Sequence, residues 1–297
     1  MIQRNIHAST CTCDRAILAI STIKNSYHRS VARYETHLLD SFMTEHKIIS
    51  QFEEALHSGQ FEAYIQPQIT ADGQIFGGEA LVRWNHPIRG FVSPALFIDV
   101  FEQTGLISRL DRYMWERACM ELRKWQDNGL GGRYISVNIS KKDFFLMDVT
   151  EVLTSLVRRY GIDPRCLHLE ITETAVMSDP KKQTDIIRQL RNFGFVVEID
   201  DFGSGYSSLN TLKDLNVDVL KVDMGFLTTT ENLDRSMTIL KMIIALAKSL
   251  DMEVITEGVE TSEQVRFLTE FGCDVFQGFF FAKPMQVSDF EARYLNA

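Results

Sequence analysis

The stretch VVEIDDFGSGYSSL, residues 196–209, decides how this chain is read. An apolar run of strand character stops on two neighbouring acids, Asp200 and Asp201, and a glycine-rich turn follows at once. Adjacent side chains on a strand point to opposite faces, so two successive carboxylates do not suit a strand interior. The pair makes sense where a strand is ending. One acid can then stay on the inner face while the other leaves on the turn, and something of opposite charge must compensate them.

The same rhythm recurs through the chain. Strand-like pieces occur at FEAYIQPQI (61–69), IFGGEALVRW (75–84), YISVNIS (134–140), CLHLEITE (166–173), FVVEIDDF (195–202), VDVLKVDMGF (217–226), EVITEGV (253–259) and DVFQGFFF (274–281). Helical stretches separate most of them. DPKKQTDIIRQLRNFG (179–194) opens on Asp-Pro and stops at glycine. SEQVRFLTEFG (262–272) also ends on glycine, where a helix C-cap would sit. MTILKMIIALAKSLD (237–251) sets Leu240, Ile243, Ile244, Ala247 and Leu250 on one helical face.

Strands alternating with helices argue for a parallel sheet. Eight strands over about 250 residues match an α/β fold of the (β/α)₈ TIM-type barrel. Only the turn TADGQ (70–74) joins the first two strands, which therefore read as a hairpin with one antiparallel strand. An open doubly wound sheet shares the alternation and is the competing architecture. Residues 48–297 carry this pattern. Residues 1–47 read as an N-terminal extension in which 14–42 could form one or two helices.

The 297 residues are 45% apolar and 24% charged, the balance of a globular chain with a sizeable core. A formal charge of −9 argues against a protein that coats DNA or RNA. It does not exclude an anionic ligand where a metal or local cations reverse the field. Five cysteines, an odd number with the three of the main body widely scattered, suit a reduced, cytoplasmic setting. No apolar run is long enough for a transmembrane helix, so a membrane anchor would have to lie outside this sequence.

Polar groups fall near the ends of the strands: Asn138, Glu170, Asp200 with Asp201, Lys221 with Asp223, Glu257 and Gln277, with Glu79 inside the second strand. A barrel brings these strand ends to one mouth. A single acid at a strand end is more often a helix N-cap. The repetition along six strands points instead to a site, and so many carboxylates would repel one another unless cations were bound. The donors are oxygens, which suit Mg²⁺, Mn²⁺ or Ca²⁺ rather than zinc or copper. Two such ions about 3.5–4 Å apart are the usual apparatus of phosphoester hydrolysis, and a lysine in the same mouth could hold the attacking water. His168 shares a face with Glu170 but lies deeper, and Arg83 shares one with Glu79, where it could grip a phosphate or simply pair with an acid. The DFG at 201–203 lacks the other kinase motifs, and the G-x-G at 203–205 lacks the third glycine of a dinucleotide fingerprint.

In unbroken order over about 48–297, GGEALVRW (77–84), VNIS (137–140), LEITET (169–174), IDDFGSGYSSL (199–209), LKVDMGF (220–226), TEGVET (256–261) and QGFFFAKPM (277–285) resemble the EAL-domain phosphodiesterases of cyclic di-GMP. The resemblance implies hydrolysis of one phosphodiester to linear pGpG with two Mg²⁺ or Mn²⁺ ions, calcium being inhibitory. It implies that Glu79, Asn138, Glu170 and Asp200 hold one ion and that Asp200, Asp201 and Glu257 hold the other. Gln277 would touch the second through water, Lys221 would position the attacking water, and Asp223 would support the pair. Gln66 and Arg83 would contact substrate, Glu260 would lend support, and Glu173 would anchor the loop DFGSGYSS and couple the site to a homodimer. Gln68 stands where the family usually has an apolar residue, Ser204 where threonine is common, and Phe101 where a small residue is usual. A catalytically silent cyclic di-GMP receptor or protein-interaction module is the alternative.

Overall fold

A computed structural model describes residues 15–17, 19, 20, 31–202, 216–223, 225 and 233–295. Its strands are β1 (Phe61–Thr70), β2 (Ile75–His86), β3 (Gly90–Val92), β4 (Tyr134–Ile139), β5 (Leu167–Thr172), β6 (Val196–Asp200), β7 (Val219–Asp223), β8 (Glu253–Glu257), β9 (Val275–Phe276) and β10 (Met285–Gln286). Pairing runs β1–β2–β4–β5–β6–β7–β8–β9 and returns to β1, which closes an eight-stranded barrel. β1 is antiparallel to both of its barrel neighbours, and the other barrel pairs are parallel. The closed barrel with one reversed strand is therefore the architecture, and the open sheet is excluded.

The helices are α1 (Thr36–His57), α2 (Pro94–Thr104), α3 (Ile107–Asp127), α4 (Asp143–Leu146), α5 (Val149–Tyr160), α6 (Glu173–Met177), α7 (Pro180–Phe193), α8 (Leu233–Ser249), α9 (Ser262–Glu270) and α10 (Val287–Phe290). α1 passes residue 47 without a break. Local chemistry sets their ends. Asp179 caps α7 ahead of Pro180, and Gly194 closes it with a φ of 117°, a left-handed turn that costs glycine little. Thr261 and Gln264 form a reciprocal capping box at the start of α9. α8 ends at Ser249, so Leu250 leaves the helical face expected of it and is exposed. The last strand is also shorter than its apolar run. Residues 278–281 turn away, with the Phe281 and Ala282 amides donated to the Gly278 carbonyl. No described helix is long and apolar enough to cross a membrane.

Alternation along each strand divides the barrel into an outside and an inside. Ile135, Val137, Leu169, Ile171, Val197, Ile199, Leu220, Val222 and Val254 face outward into the core shared with the helices. Inside, Val219, Ile255 and Val275, with Phe76 and Val196, make a small apolar floor. Polar side chains fill the rest.

A second cluster seats α1 against the barrel: Phe52, Phe61, Trp84, Phe97 and Phe101 pack with ring centroids 4.9 to 6.3 Å apart. Phe101 meets Phe52 edge to face, which gives the large residue at 101 a packing role. Phe52→Ala should cost about 3–5 kcal/mol of stability. Denaturant unfolding checks this, and a loss below about 1 kcal/mol would mean that α1 is not seated on the barrel as described.

Candidate active site

The inner face of the barrel gathers its acids around one cation. Lys221, on β7, is 1% exposed. Its Nζ lies 2.5 Å from Glu257 Oε1, 3.0 Å from Glu170 Oε1, 3.5 Å from Glu79 Oε2 and 3.7 Å from Asp200 Oδ1. Strand register produces this convergence: Glu79 sits beside Ser136, Asn138 beside Glu170, Thr172 beside Asp200, and Asp223 beside Glu257. Residues four strands apart thus meet at the C-terminal end of the barrel.

The charges do not balance. Four carboxylates surround one ammonium, and neither oxygen of Glu170 nor Oε1 of Glu257 takes an aligned hydrogen bond. The close Lys221–Glu257 approach is therefore ionic rather than directional. Burial opposes the charge on Lys221, but Glu170, Glu257, Glu79 and Asp200 outweigh it and hold the ammonium well above its ordinary pKa. Burial, and then the neighbouring Glu79, drives the Glu170 carboxyl well up. Burial pushes Glu257 up to about 8 against the pull of Lys221. It also raises Asp200, and raises Asp201 together with the charge of Asp223. Glu79 differs. Burial would raise it, but Lys221 and the amides of Gln277 and Asn138 bring it below the usual carboxylate range.

The opening pair separates at the strand end. β6 stops at Asp200, whose Oδ1 accepts the Asp201 backbone N–H at 2.8 Å. Asp201 takes a φ of 56°, a left-handed conformation that turns the chain out of the sheet. Asn138 donates from Nδ2 to Glu79 Oε1 at 3.1 Å. Gln277 donates from Nε2 to Glu79 Oε2 at 2.6 Å and to Gln66 Oε1 at 3.2 Å. Asp223 accepts the Gly225 N–H at 2.7 Å. Glu260 lines the mouth, with its own N–H given to Gln264 Oε1. Glu173 is buried at the start of α6, while residues 203–208 of the loop it was expected to anchor lie outside the described residues.

Two hollows meet at Glu79 and Leu81. One, of about 370 Å³, is the mouth itself, lined by Gln66, Asp223, Glu257, Glu260, Gln277 and Phe279 among others. The other, of about 490 Å³, runs beside β2 past Arg83, Pro94, Ile98, Glu102, Asp111 and Asn138. Arg83 donates to the Val82 carbonyl and lies over the Tyr64 ring, with no ion pair to an acid among the described residues. The sequence reading missed Asp111, which lines this second hollow, and its buried carboxyl partner Asp143. Asp111 is raised well above the ordinary range by burial and by Asp143. It also missed Glu198, fully buried and bonded to His168 Nδ1 at 2.6 Å. Period-two spacing before Asp200 was the available signal for Glu198.

Residues 49–284 match the EAL domain family. The chain belongs to that family. Among its relatives is the bifunctional diguanylate cyclase/cyclic di-GMP phosphodiesterase MucR of Pseudomonas aeruginosa, 36% identical over 240 residues, covering 80% of this chain and 35% of MucR. The cyclic di-GMP phosphodiesterase PdeR of Escherichia coli is 34% identical over 245 residues, covering 82% of this chain and 37% of PdeR. This chain therefore spans little more than a third of the length of these relatives. The structure of the PaMucR phosphodiesterase in complex with c-di-GMP superposes with a TM-score of 0.77 at 35% identity, over 82% of this chain and 99% of that one. The family includes proteins named cyclic di-GMP phosphodiesterases. Divalent-metal dependence is general to its phosphodiesterases.

Among the described residues no three acidic, His or Cys side chains already form a metal cage, because the Lys221 ammonium lies among the acids. The donor set nevertheless fits a hard cation: it is all oxygen, over-charged, and has buried lone pairs unused. Without metal, the folded chain keeps on Glu257 a proton that the unfolded chain releases between 4.5 and about 8. Stability is then greatest at the acid end of that window and falls as pH rises through it. Melting curves of metal-free protein should show this fall, reduced in Glu257→Gln, and Mn²⁺ should reverse it near pH 8. A midpoint that climbs with pH without metal would contradict the assignment.

Proposed function

We propose that this EAL domain is an active, metal-dependent phosphodiesterase that opens one phosphodiester of cyclic di-GMP to give linear pGpG. The observation that supports it most is the excess of buried carboxylate oxygens around Lys221, three of which take no aligned hydrogen bond. An interaction module has no need to keep such a charge imbalance at the floor of a cleft. A cation-loaded phosphodiesterase does.

Glu79, Asn138, Glu170 and Asp200 would hold one divalent ion, and Asp200, Asp201 and Glu257 a second, with Asp223 beside them. When bound, two such ions polarise the phosphoryl oxygens and lower the pKa of water at neutral pH. The chain's own residues would do the rest. Lys221, held in its ammonium form by its neighbours, donates from Nζ to orient the attacking water and to steady charge developing on phosphate. Arg83 at the second hollow and Gln66 at the mouth would bind the phosphates and sugars on either side. The two hollows meeting at Glu79 and Leu81 suit a ligand with two flat bases flanking a phosphodiester. At the second hollow the acids Asp111 and Glu102 offer acceptors for the N–H edge of a guanine.

Incubation with cyclic di-GMP and Mn²⁺ or Mg²⁺ should yield pGpG, with turnover abolished by chelator. Glu79→Gln and Lys221→Ala should each lower kcat by at least about 100-fold. Binding of cyclic di-GMP with no product in any divalent metal would mark the domain as a silent receptor instead.

A further inference from the structure

Below the carboxylate cluster, one strand layer deeper, lies a chain of neutral polar groups whose inner members, Gln68 and Tyr134, the metal-site reading does not use. Tyr134 on β4 donates its hydroxyl to Gln68 Oε1 at 2.5 Å, and Gln68 Nε2 donates to Gln277 Oε1 at 2.8 Å. Gln277 Nε2 then donates to Glu79 Oε2 at 2.6 Å. Gln68 is fully buried, and Tyr134 and Gln277 nearly so.

A carboxamide can flip, exchanging its donor and acceptor ends, so direction is the property to explain. At the Glu79 end only one direction is stable. An ionised carboxylate accepts and cannot donate, so the NH₂ of Gln277 must face it. Gln277 Oε1 then faces Gln68 and needs a donor, which fixes the NH₂ of Gln68 toward it. Gln68 Oε1 in turn needs a donor, and the Tyr134 hydroxyl supplies one. Reversing either amide would set two lone pairs against each other in the barrel interior, where an unmade hydrogen bond is costly.

Backbone register gives independent support. Gln68 on β1 pairs with Gly77 on β2, and Gly77 pairs with Tyr134 on β4. The three lie side by side in one layer, with the glycine in the middle. A Cβ at residue 77 would overlap the Tyr134 ring. The missing side chain is what lets the tyrosine cross β2 and reach β1. The ring is also pinned from behind, stacked on His168 with centroids 3.5 Å apart and planes 4° from parallel. Gly77, Tyr134 and His168 thus hold the hydroxyl where Gln68 requires it.

We propose that Gln68 and Tyr134 are positioning residues that lock the Gln277 carboxamide with its NH₂ toward Glu79, and so pre-set that carboxylate for its cation. The metal part of this proposal rests on the phosphodiesterase reading above, whereas the locking does not. Outer partners that orient metal-ligating groups typically carry about 10–100-fold in metal affinity or activity.

The test uses the full chain and its Gln68→Leu, Tyr134→Phe, Gln277→Ala and Gln68→Leu/Gln277→Ala variants. In metal-free protein, the side-chain NH₂ resonances of Gln277, identified by their loss in Gln277→Ala, should shift in both Gln68→Leu and Tyr134→Phe. With Mn²⁺ alone as probe, Gln68→Leu should weaken binding by about 10–100-fold and Tyr134→Phe by about fivefold. Substrate KM at saturating Mn²⁺ should stay within about twofold of wild type, which a general loosening of the barrel would not spare. In the Gln277→Ala background, Gln68→Leu should add less than about twofold, because the residue through which it acts is gone. Unmoved Gln277 resonances, or a full additive loss in the double variant, overturn the proposal. Wild-type protein that binds no Mn²⁺ overturns the metal-site reading instead, and the resonances still decide the locking.

Discussion

One buried ammonium against four carboxylates is the constraint on which the rest of this barrel depends. A charged lysine is costly to bury, and here it is retained because the acids around it would be costlier still without it. The arrangement is under-neutralised, and both oxygens of Glu170 and one of Glu257 take no aligned hydrogen bond. Such a centre holds together only if rigid elements keep the groups from moving apart. Parallel strands in fixed register provide this, since each acid is tied to the backbone of its neighbouring strand. The outward faces of the same strands carry the apolar core that keeps the barrel closed. Stability is thus invested outside so that unfavourable charge can be kept inside.

Much of this was legible in the sequence because two periods coincide. The alternation of β4, β5 and β6 is strict, so Asn138, Glu170 and Asp200 could be assigned to one face before any coordinates existed. The reversed first strand was legible because a four-residue turn leaves no room for a crossover. Other features were not. Leu250 fits the helical stripe of α8, but the helix stops one residue short of it. The apolar run 274–281 looks like a full strand, yet only Val275–Phe276 pairs, because the chain turns at Gly278. Asp111 reads as an ordinary helical acid, and only the folding of α3 and α4 together reveals its buried partner Asp143. Gln68 read as a departure from the family pattern, and its placement among Tyr134, Gly77 and Gln277 depends on contacts 66 and 209 residues away in sequence.

Layering inside the barrel connects these observations. Val219, Ile255 and Val275 form an apolar cluster inside the barrel. Above it come Gln68, Tyr134, His168 and Glu198, bonded among themselves or to neighbours, and above those the acids. Each layer is held by the one beneath it, so a change in the neutral middle layer is felt by the charged one.

The reversed β1 has a topological consequence. In an all-parallel barrel the chain enters at the face opposite the strand ends, and a covalent attachment at its start is a barrel's length from the chemistry. Here β1 runs downward from the mouth. Phe61 lies level with Trp84, beyond Glu79, and the 70–74 turn lies at the far end. α1 therefore meets the barrel on the rim that carries the acids. Entrance and carboxylate cluster share one edge of the molecule, and a tilt of α1 bears on the ring cluster that holds Trp84, five residues along β2 from Glu79, without having to be transmitted through the barrel wall.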